Sequence, residues 1–380
     1  MKPNSPRLYT KSSVLLSLLL FLFACSPNDA PTNPKLEKID KIVDSLFSAQ
    51  DWPALSIGII NAGQIHDLHR GQLLNGQAPK SSTLYEVASL TKTFTGTLLA
   101  HAIVDAKAEI DQDIRQHLPD SFPNLAYEGM PITFRHLATH QSGLPRFFPD
   151  TPGLFDEPDW DNLPARINAL QEGFTKADFF QSLSLVQLDT VPGSNFIYSN
   201  AGPNLLGYLL ENMYEKTYED LLQTKILAPL GMTGTQLHIT AVDTSQLAFG
   251  KNMNGKRMPV RAEKGMMAEG GLFTSTADMI KYMQFHLDTT SAVALAARQE
   301  LWNGQFGDFE AGLFWQIFKD GNNPDRIFQN GGAYGTSSWV TLIPELQLGV
   351  FLVTNYAGEG VHQQLNQMAD QILAVLQDQH

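Results

Sequence analysis

From Val87 to Val104 the chain carries one formal charge, Lys92, in a run dominated by Thr, Leu and Ala. Read as a helix, this segment has no polar face wide enough to meet water, so it must be buried on most sides. A chain that contains it has to build its other elements around it. The lysine inside is either snorkelling outward or held in a low-dielectric place. Ser89 lies three residues earlier, one turn away on the same face.

That spacing has chemical meaning. A serine hydroxyl is a poor nucleophile until a neighbouring base takes its proton. A lysine serves as that base only where burial or the positive end of a helix lowers its proton affinity. At a helix N-terminus the N–H of Ser89 has no intrahelical partner and is available to an oxyanion. Ser-x-x-Lys alone is a weak signal: a helix-start serine and a surface lysine read the same way.

The rest of the chain shows where such a helix is housed. Leu36, Ile39, Ile42, Val43, Leu46 and Phe47 share a helical face. Residues 54–60 and 64–71 read as strands around the turn Asn61-Ala62-Gly63. Residues 311–318, 326–329, 338–343 and 349–354 also read as strands, and Val361, Leu365, Met368, Ile372 and Val375 form a closing helix. The middle, about 86–285, is mainly helical, with helices at 201–214 and 218–227. The expected fold is α+β: one antiparallel sheet completed by both chain ends and flanked by helices, with a helical inserted region and a cleft where the two meet. The proline- and acid-rich stretch 147–164 reads as an ordinary solvated loop in preference to a functional lid over a site.

Two further segments carry candidate chemistry. Tyr198-Ser199-Asn200 leads into the helix at Ala201. In an extended segment Tyr198 and Asn200 point the same way. A tyrosine beside Lys92 can relay a proton to a leaving group, and an asparagine there can hold a substrate carbonyl or amide. The plainer alternatives are a core aromatic and a helix N-cap. Near the end, Gln329-Asn330-Gly331-Gly332 links two strands, and its glycines allow a ligand close to the backbone. Backbone N–H groups there can supply half of an oxyanion hole, while the plainer reading is a glycine-rich hairpin.

Ser-x-x-Lys, Tyr-Ser-Asn and a Gly-containing strand motif, in this order, resemble the serine β-lactamase and penicillin-binding-protein superfamily, in its class C β-lactamase-like branch. Further segments extend the resemblance: His136-Leu-Ala-Thr-His-Gln-Ser-Gly-Leu-Pro145, Gly270-Gly-Leu-Phe-Thr-Ser-Thr-Ala-Asp278, Ser338-Trp-Val-Thr-Leu-Ile-Pro-Glu345 and Leu348-Gly-Val-Phe-Leu-Val-Thr-Asn355. The match runs from about Leu36 to the C-terminus. It implies a β-lactamase/transpeptidase-like fold and a serine hydrolase acting on an ester or amide, such as a β-lactam or a D-amino-acid peptide. By the resemblance Ser89 is the acylated nucleophile, Lys92 and Tyr198 are the proton-transfer pair, and Asn200, Gln329 and Gly331 meet substrate. The N–H groups of Ser89 and Gly332 form the oxyanion hole. One departure stands out: the family's third motif is Lys-Thr-Gly or His-x-Gly, and Gln329 here carries no charge. A charged donor at that place binds a carboxylate roughly twice as strongly as a neutral one. Gln329 therefore also supports a second reading, a surface protein that binds cell-wall-type ligands without turnover.

The N-terminus points to export. Lys2, Arg7 and Lys11 precede an apolar run from Val14 to Ala24, too short for a membrane span and suited to a signal peptide. The run ends at Cys25, the only cysteine, and Leu22-Phe23-Ala24-Cys25 resembles the lipobox of bacterial lipoproteins. Residues 1–24 are expected to be a lipoprotein signal, 25–35 a tether and 36–380 the hydrolase domain. The membrane is then a partner through the lipid on Cys25, on the periplasmic or cell-surface side. Loss of Lys2, Arg7 and Lys11 takes the formal charge from −13 to −16, which argues against nucleic acid as a partner. A lone cysteine excludes an internal disulfide and a Cys-based zinc cage. No His-Glu-x-x-His motif and no serine flanked by Gly at −2 and +2 is present, so the sequence implies neither a metal nor any other cofactor. The partner expected besides the membrane is a small-molecule or peptide substrate.

Overall fold

The computed structural model describes Met1 and residues 33–378, apart from residues 155, 157, 240–242, 262–264, 266, 304–308 and 320. Cys25 and the expected signal peptide beyond Met1 lie outside the described residues. Helix α1 (Pro34–Ser48) begins inside the expected tether, because the Asn33 side chain accepts the N–H of Lys35 and Pro34 fits the first helical turn. Strands β1 (Ala54–Asn61) and β2 (Gln64–Gly71) follow as a hairpin. Its loop residues Ala62 and Gly63 both have positive φ, 47° and 85°, as a tight two-residue turn requires.

The inserted region carries α2 (Thr91–Val104), α3 (Leu163–Gln171), α4 (Ala201–Tyr214) and α5 (Thr276–Leu287). The chain then returns to the sheet with β3 (Trp302–Asn303), β4 (Phe309–Ala311), β5 (Gln316–Phe318), β6 (Arg326–Gly332), β7 (Ser337–Ile343) and β8 (Leu348–Thr354), and closes with α6 (Val361–Gln377). The sheet order is β2-β1-β8-β7-β6-β5-β4-β3, with every pair antiparallel. Both chain ends complete it, as the sequence predicts. The expected strand at 311–318 is instead a hairpin. Gly312 bonds back to Trp315 O (2.9 Å), and Phe314, at φ 60°, turns the chain.

The sheet is buried on both faces. Leu55, Ile57, Ile59, Val350 and Leu352 pack with Ile39, Val43 and Leu365 on the side of α1 and α6. Ile60, Val340, Leu342, Phe351 and Val353 face the other way, into the core around α2 and α5. Strands covered on both sides read as continuous apolar runs rather than alternations. Helix α2 is the interior element its composition demands: every residue from Thr91 to Ala102 except His101 is buried. Its threonines bond within the core, Thr95 to Ala268 O (2.6 Å) and Thr93 to Leu90 O (2.8 Å). Among the described residues no helix is long and apolar enough to cross a membrane.

Candidate active site

Ser89 lies in the 3-10 turn Ala88–Leu90, which runs straight into α2. Ala88 is held at φ 49°, a left-handed conformation that non-glycine residues adopt only when their surroundings impose it. Those surroundings are β6 and β7. Thr336 Oγ1 donates to Glu86 O (2.6 Å) and Ser338 Oγ to Val87 O (3.0 Å). Gly331 packs so closely that a Cβ there would sit 2.0 Å from Val87 O and 3.1 Å from Leu90 N.

Gly331 therefore has a different role from the substrate contact expected of it: it lets the strand seat the turn that holds Ser89. Gly331→Ala should lower stability by about 1–3 kcal/mol through overpacking and reduce activity as the turn is displaced. Thermal melts beside rate assays check this. A variant with unchanged melting temperature and rate would show that the strand yields freely.

Lys92 does not snorkel. It is fully buried, and its Nζ donates to Ser89 Oγ (2.9 Å) and to the Glu269 carbonyl (2.6 Å). Tyr198 is no core aromatic. It is 37% exposed, with its hydroxyl 2.8 Å from Ser89 Oγ and its ring centroid 5.0 Å from Lys92 Nζ. The Ser89 hydroxyl thus meets both groups at once.

The segment carrying Tyr198 is strapped to residues 140–146. Gly193 N donates to Gln141 O (2.9 Å), Ile197 N to His140 O (2.7 Å) and Asn200 N to Arg146 O (2.7 Å). Ser199 Oγ donates to Pro145 O (2.6 Å). This gives the His-Gln-Ser-Gly-Leu-Pro segment a physical purpose: it is the cradle of Tyr-Ser-Asn. Ser199, not Asn200, caps α4, since Gly202 N donates to Ser199 Oγ (3.0 Å). The Asn200 side chain makes no capping bond; the residue lines the cavity and its Oδ1 is buried without a partner.

Gln329 does not line the cavity. Its Nε2 donates to Phe314 O (2.5 Å) and its Oε1 accepts from Asn330 N (2.9 Å) and Gln316 Nε2 (3.3 Å). The amide ties β6 to the chain around β5, whereas substrate contact was expected. Gly332 does line the cavity. Ala333 N donates to Thr336 O (2.9 Å), so by antiparallel alternation Gly332, opposite Ser337, is in a non-bonded position with its N–H facing away from β7. The pairing of β5 ends at Phe328 and leaves that side of Gly332 unpaired by the sheet.

The cavity lined by Ser89, Asn200 and Gly332 measures about 690 Å³. One wall is apolar, with Phe147, Trp160, Leu163 and Ile167 from the stretch 147–164 and α3. That stretch is thus part of the site and not the ordinary loop its composition suggests: Phe147 and Trp160 line the cavity although acids dominate its composition. At another wall Arg261 is ion-paired to the buried Glu269, and its backbone N–H donates to Glu86 Oε1 (3.3 Å). Sequence reasoning missed this cluster, because Glu86 is far in the chain from Arg261 and Glu269 and the three match no motif.

Burial pushes the Glu86 carboxyl up to about 7, against the nearby Arg261 charge. An acid whose folded pKa is raised stays protonated in the fold while the unfolded chain ionises. Stability therefore falls as pH rises from about 4.5 to about 7, by on the order of 3 kcal/mol. Glu86→Gln keeps the acceptor oxygen and removes this loss. The melting-temperature difference between E86Q and the unchanged chain should rise from pH 5 to pH 8; a flat difference would contradict the raised carboxyl.

The arrangement brings a hydroxyl, an amino group and a phenol together beside a cavity that Ser89 and Gly332 line, a set able to carry out acyl transfer. Among the described residues no cluster of His, Cys, Asp and Glu could hold a metal ion.

Comparison with known proteins gives a consistent picture. A family model described as Beta-lactamase matches residues 39–374. "Protein flp" of Staphylococcus aureus (strain N315) is 24% identical over 351 residues, covering 90% of this chain and 67% of that protein. The "D-alanyl-D-alanine-carboxypeptidase/endopeptidase AmpH" of Escherichia coli (strain K12) is 25% identical over 334 residues, covering 83% and 82%. Among solved structures, one described as "a class C beta-lactamase" superposes with a TM-score of 0.75 at 20% identity, over 91% of this chain and 98% of the other. A β-lactamase/D-alanine carboxypeptidase from Yersinia pestis, complexed with citrate, gives 0.72 at 24% identity, over 90% and 100%.

Proposed function

The chain belongs to the β-lactamase family of serine hydrolases, and from that premise we propose that it cleaves an ester or amide, a β-lactam or D-amino-acid peptide included, through an acyl-enzyme on Ser89. The observation that carries this reading is the Ser89 hydroxyl between Lys92 Nζ (2.9 Å) and Tyr198 OH (2.8 Å) at a cavity wall.

Tyr198 and Lys92 take the Ser89 proton as Oγ attacks the substrate carbonyl carbon. The Ser89 and Gly332 N–H groups hold the resulting oxyanion. The same pair passes the proton to the leaving oxygen or nitrogen as its bond to carbon breaks. Water then repeats the sequence on the acyl group and frees Ser89. The Glu269 carbonyl holds Lys92 Nζ from behind, so the nitrogen stays aimed at Ser89.

Substrate class is tested by a panel: a chromogenic cephalosporin, an activated short-chain ester and a D-Ala-D-Ala peptide. Multiple turnover on any of them, lost on Ser89 substitution, supports the reading. Binding without turnover on all three supports the ligand-binding alternative. Because Gln329 is uncharged and engaged with Phe314, the third-motif position offers a carboxylate no charged partner, and the ester is expected to be turned over best.

The apolar wall supports a bulky acyl chain. Trp160→Ala should lower kcat/KM for a phenylacetyl ester about 10-fold more than for an acetyl ester, the scale of a lost apolar pocket contact. Equal losses for both esters would remove Trp160 from acyl recognition. Residues 36–380 act as one catalytic body in this reading, exported and held at a membrane by lipid on Cys25. Palmitate incorporation that disappears in Cys25→Ala tests the anchor.

A further inference from the structure

We infer that His140 is the positioning residue for Tyr198: through one ring and one carbonyl it fixes the backbone on both sides of the tyrosine and the face of its phenol. The His140 carbonyl accepts the N–H of Ile197 (2.7 Å), and its Nδ1 accepts the N–H of Ser199 (3.2 Å). Its ring lies against the Tyr198 ring, with centroids 4.4 Å apart and planes 31° apart. Residues 197, 198 and 199 are each held by the same histidine.

His140 is itself immobilised. It is buried, in the left-handed region at φ 57°, and its ring is edged by Phe196 (5.7 Å) and Phe314 (5.4 Å). Histidine is among the non-glycine residues enriched in that backbone region. Asparagine, which shares the preference, offers a side-chain oxygen where histidine offers Nδ1.

The histidine acts here as an acceptor and not as a base. Since Nδ1 accepts from Ser199, the neutral ring carries its proton on Nε2, and that atom is buried without a partner. Burial and the charge of Lys92 hold its pKa down at about 3. A protonated ring would turn Nδ1 into a donor and lose the Ser199 bond. The reaction involves Tyr198 and Lys92 on Ser89 Oγ, while His140 acts only through where Tyr198 stands. This inference rests on the proposed part of Tyr198 in proton transfer.

A double-mutant cycle tests it. His140→Phe keeps an aromatic ring but leaves the Ser199 N–H without its acceptor. It should lower kcat about 100-fold with KM within about 3-fold, the size of losing a well-placed proton-transfer group. His140→Asn restores an acceptor and should remain within about 10-fold of the unchanged enzyme. In a Tyr198→Phe background, His140→Phe should cost no more than about 3-fold further, because the residue it positions is already inactive.

Losses that multiply in the double variant would overturn the inference, as would a His140→Asn variant no better than His140→Phe. Should H140F fail to fold, His140→Met, which also lacks the acceptor, runs the same cycle. If Ser89→Ala leaves turnover intact, the hydrolase reading fails. If it abolishes turnover while the cycle multiplies, only the role of His140 fails.

Discussion

Ser89→Ala is expected to lower kcat/KM on the best substrate of the panel by at least about 10³-fold, the scale seen when a nucleophile is removed from an acyl-transfer site. The expectation follows from the geometry. Both proposed proton-transfer groups converge on one oxygen, Ser89 Oγ, and no other hydroxyl meets both Lys92 and Tyr198 among the bonds of the described residues. The substitution removes one oxygen from a partly exposed residue, and the neighbouring backbone at Glu86, Val87 and Leu90 keeps its own bonds, so the fold should survive. Intact-protein mass after quenching a slow substrate should show an acyl adduct on the unchanged chain and none on the alanine variant. Turnover in S89A within 10-fold of the original would place the nucleophile elsewhere.

Lys92→Met is expected to have the second-largest effect, a fall in kcat of about 10²–10⁴-fold with little change in KM. Methionine nearly matches the length of the lysine stem and adds no charge to a fully buried position, so packing is largely kept. What disappears is the group that bonds Ser89 Oγ and that, in the proposed mechanism, passes protons with Tyr198. The Glu269 carbonyl loses its donor, and a modest drop in melting temperature should accompany the rate loss. Unchanged kcat in K92M would leave Tyr198 as the sole proton-transfer group and would remove the lysine from the mechanism. Comparing burst amplitude with steady-state rate separates acylation from deacylation, and both should slow, because the same pair serves both halves.

Much of this site was legible in the chain. An uncharged run around Lys92 could only be an interior helix, and a lysine inside it needed a reason to be there. Helical spacing made Ser89 a candidate beside Lys92, and the motif series gave it a role. Tyr198 and Asn200 followed from their order in the motif series. What could not be read locally was which plain alternative each residue avoids. Asn200 has the composition of an N-cap, and only the position of Ser199 shows that the cap is already supplied. Gln329 has the motif position of a substrate contact, and only the approach of Phe314 shows its amide engaged elsewhere. The stretch 147–164 has the composition of a solvated loop, yet Phe147 and Trp160 line the cavity.

The sequence by itself determined the elements and the antiparallel sheet closed by both ends, because these depend on hydrophobic periodicity, and it made Ser89 and Lys92 candidates by placing them one helical turn apart. The tertiary structure alone decided the cradle of residues 140–146 around Tyr198, the Glu86–Arg261–Glu269 cluster, and the part played by each glycine. Gly331 and Gly332 are neighbours with the same side chain. One packs against Val87 and the other opens to the cavity, since adjacent residues of a strand point to opposite faces and only the packed neighbours give each face its meaning.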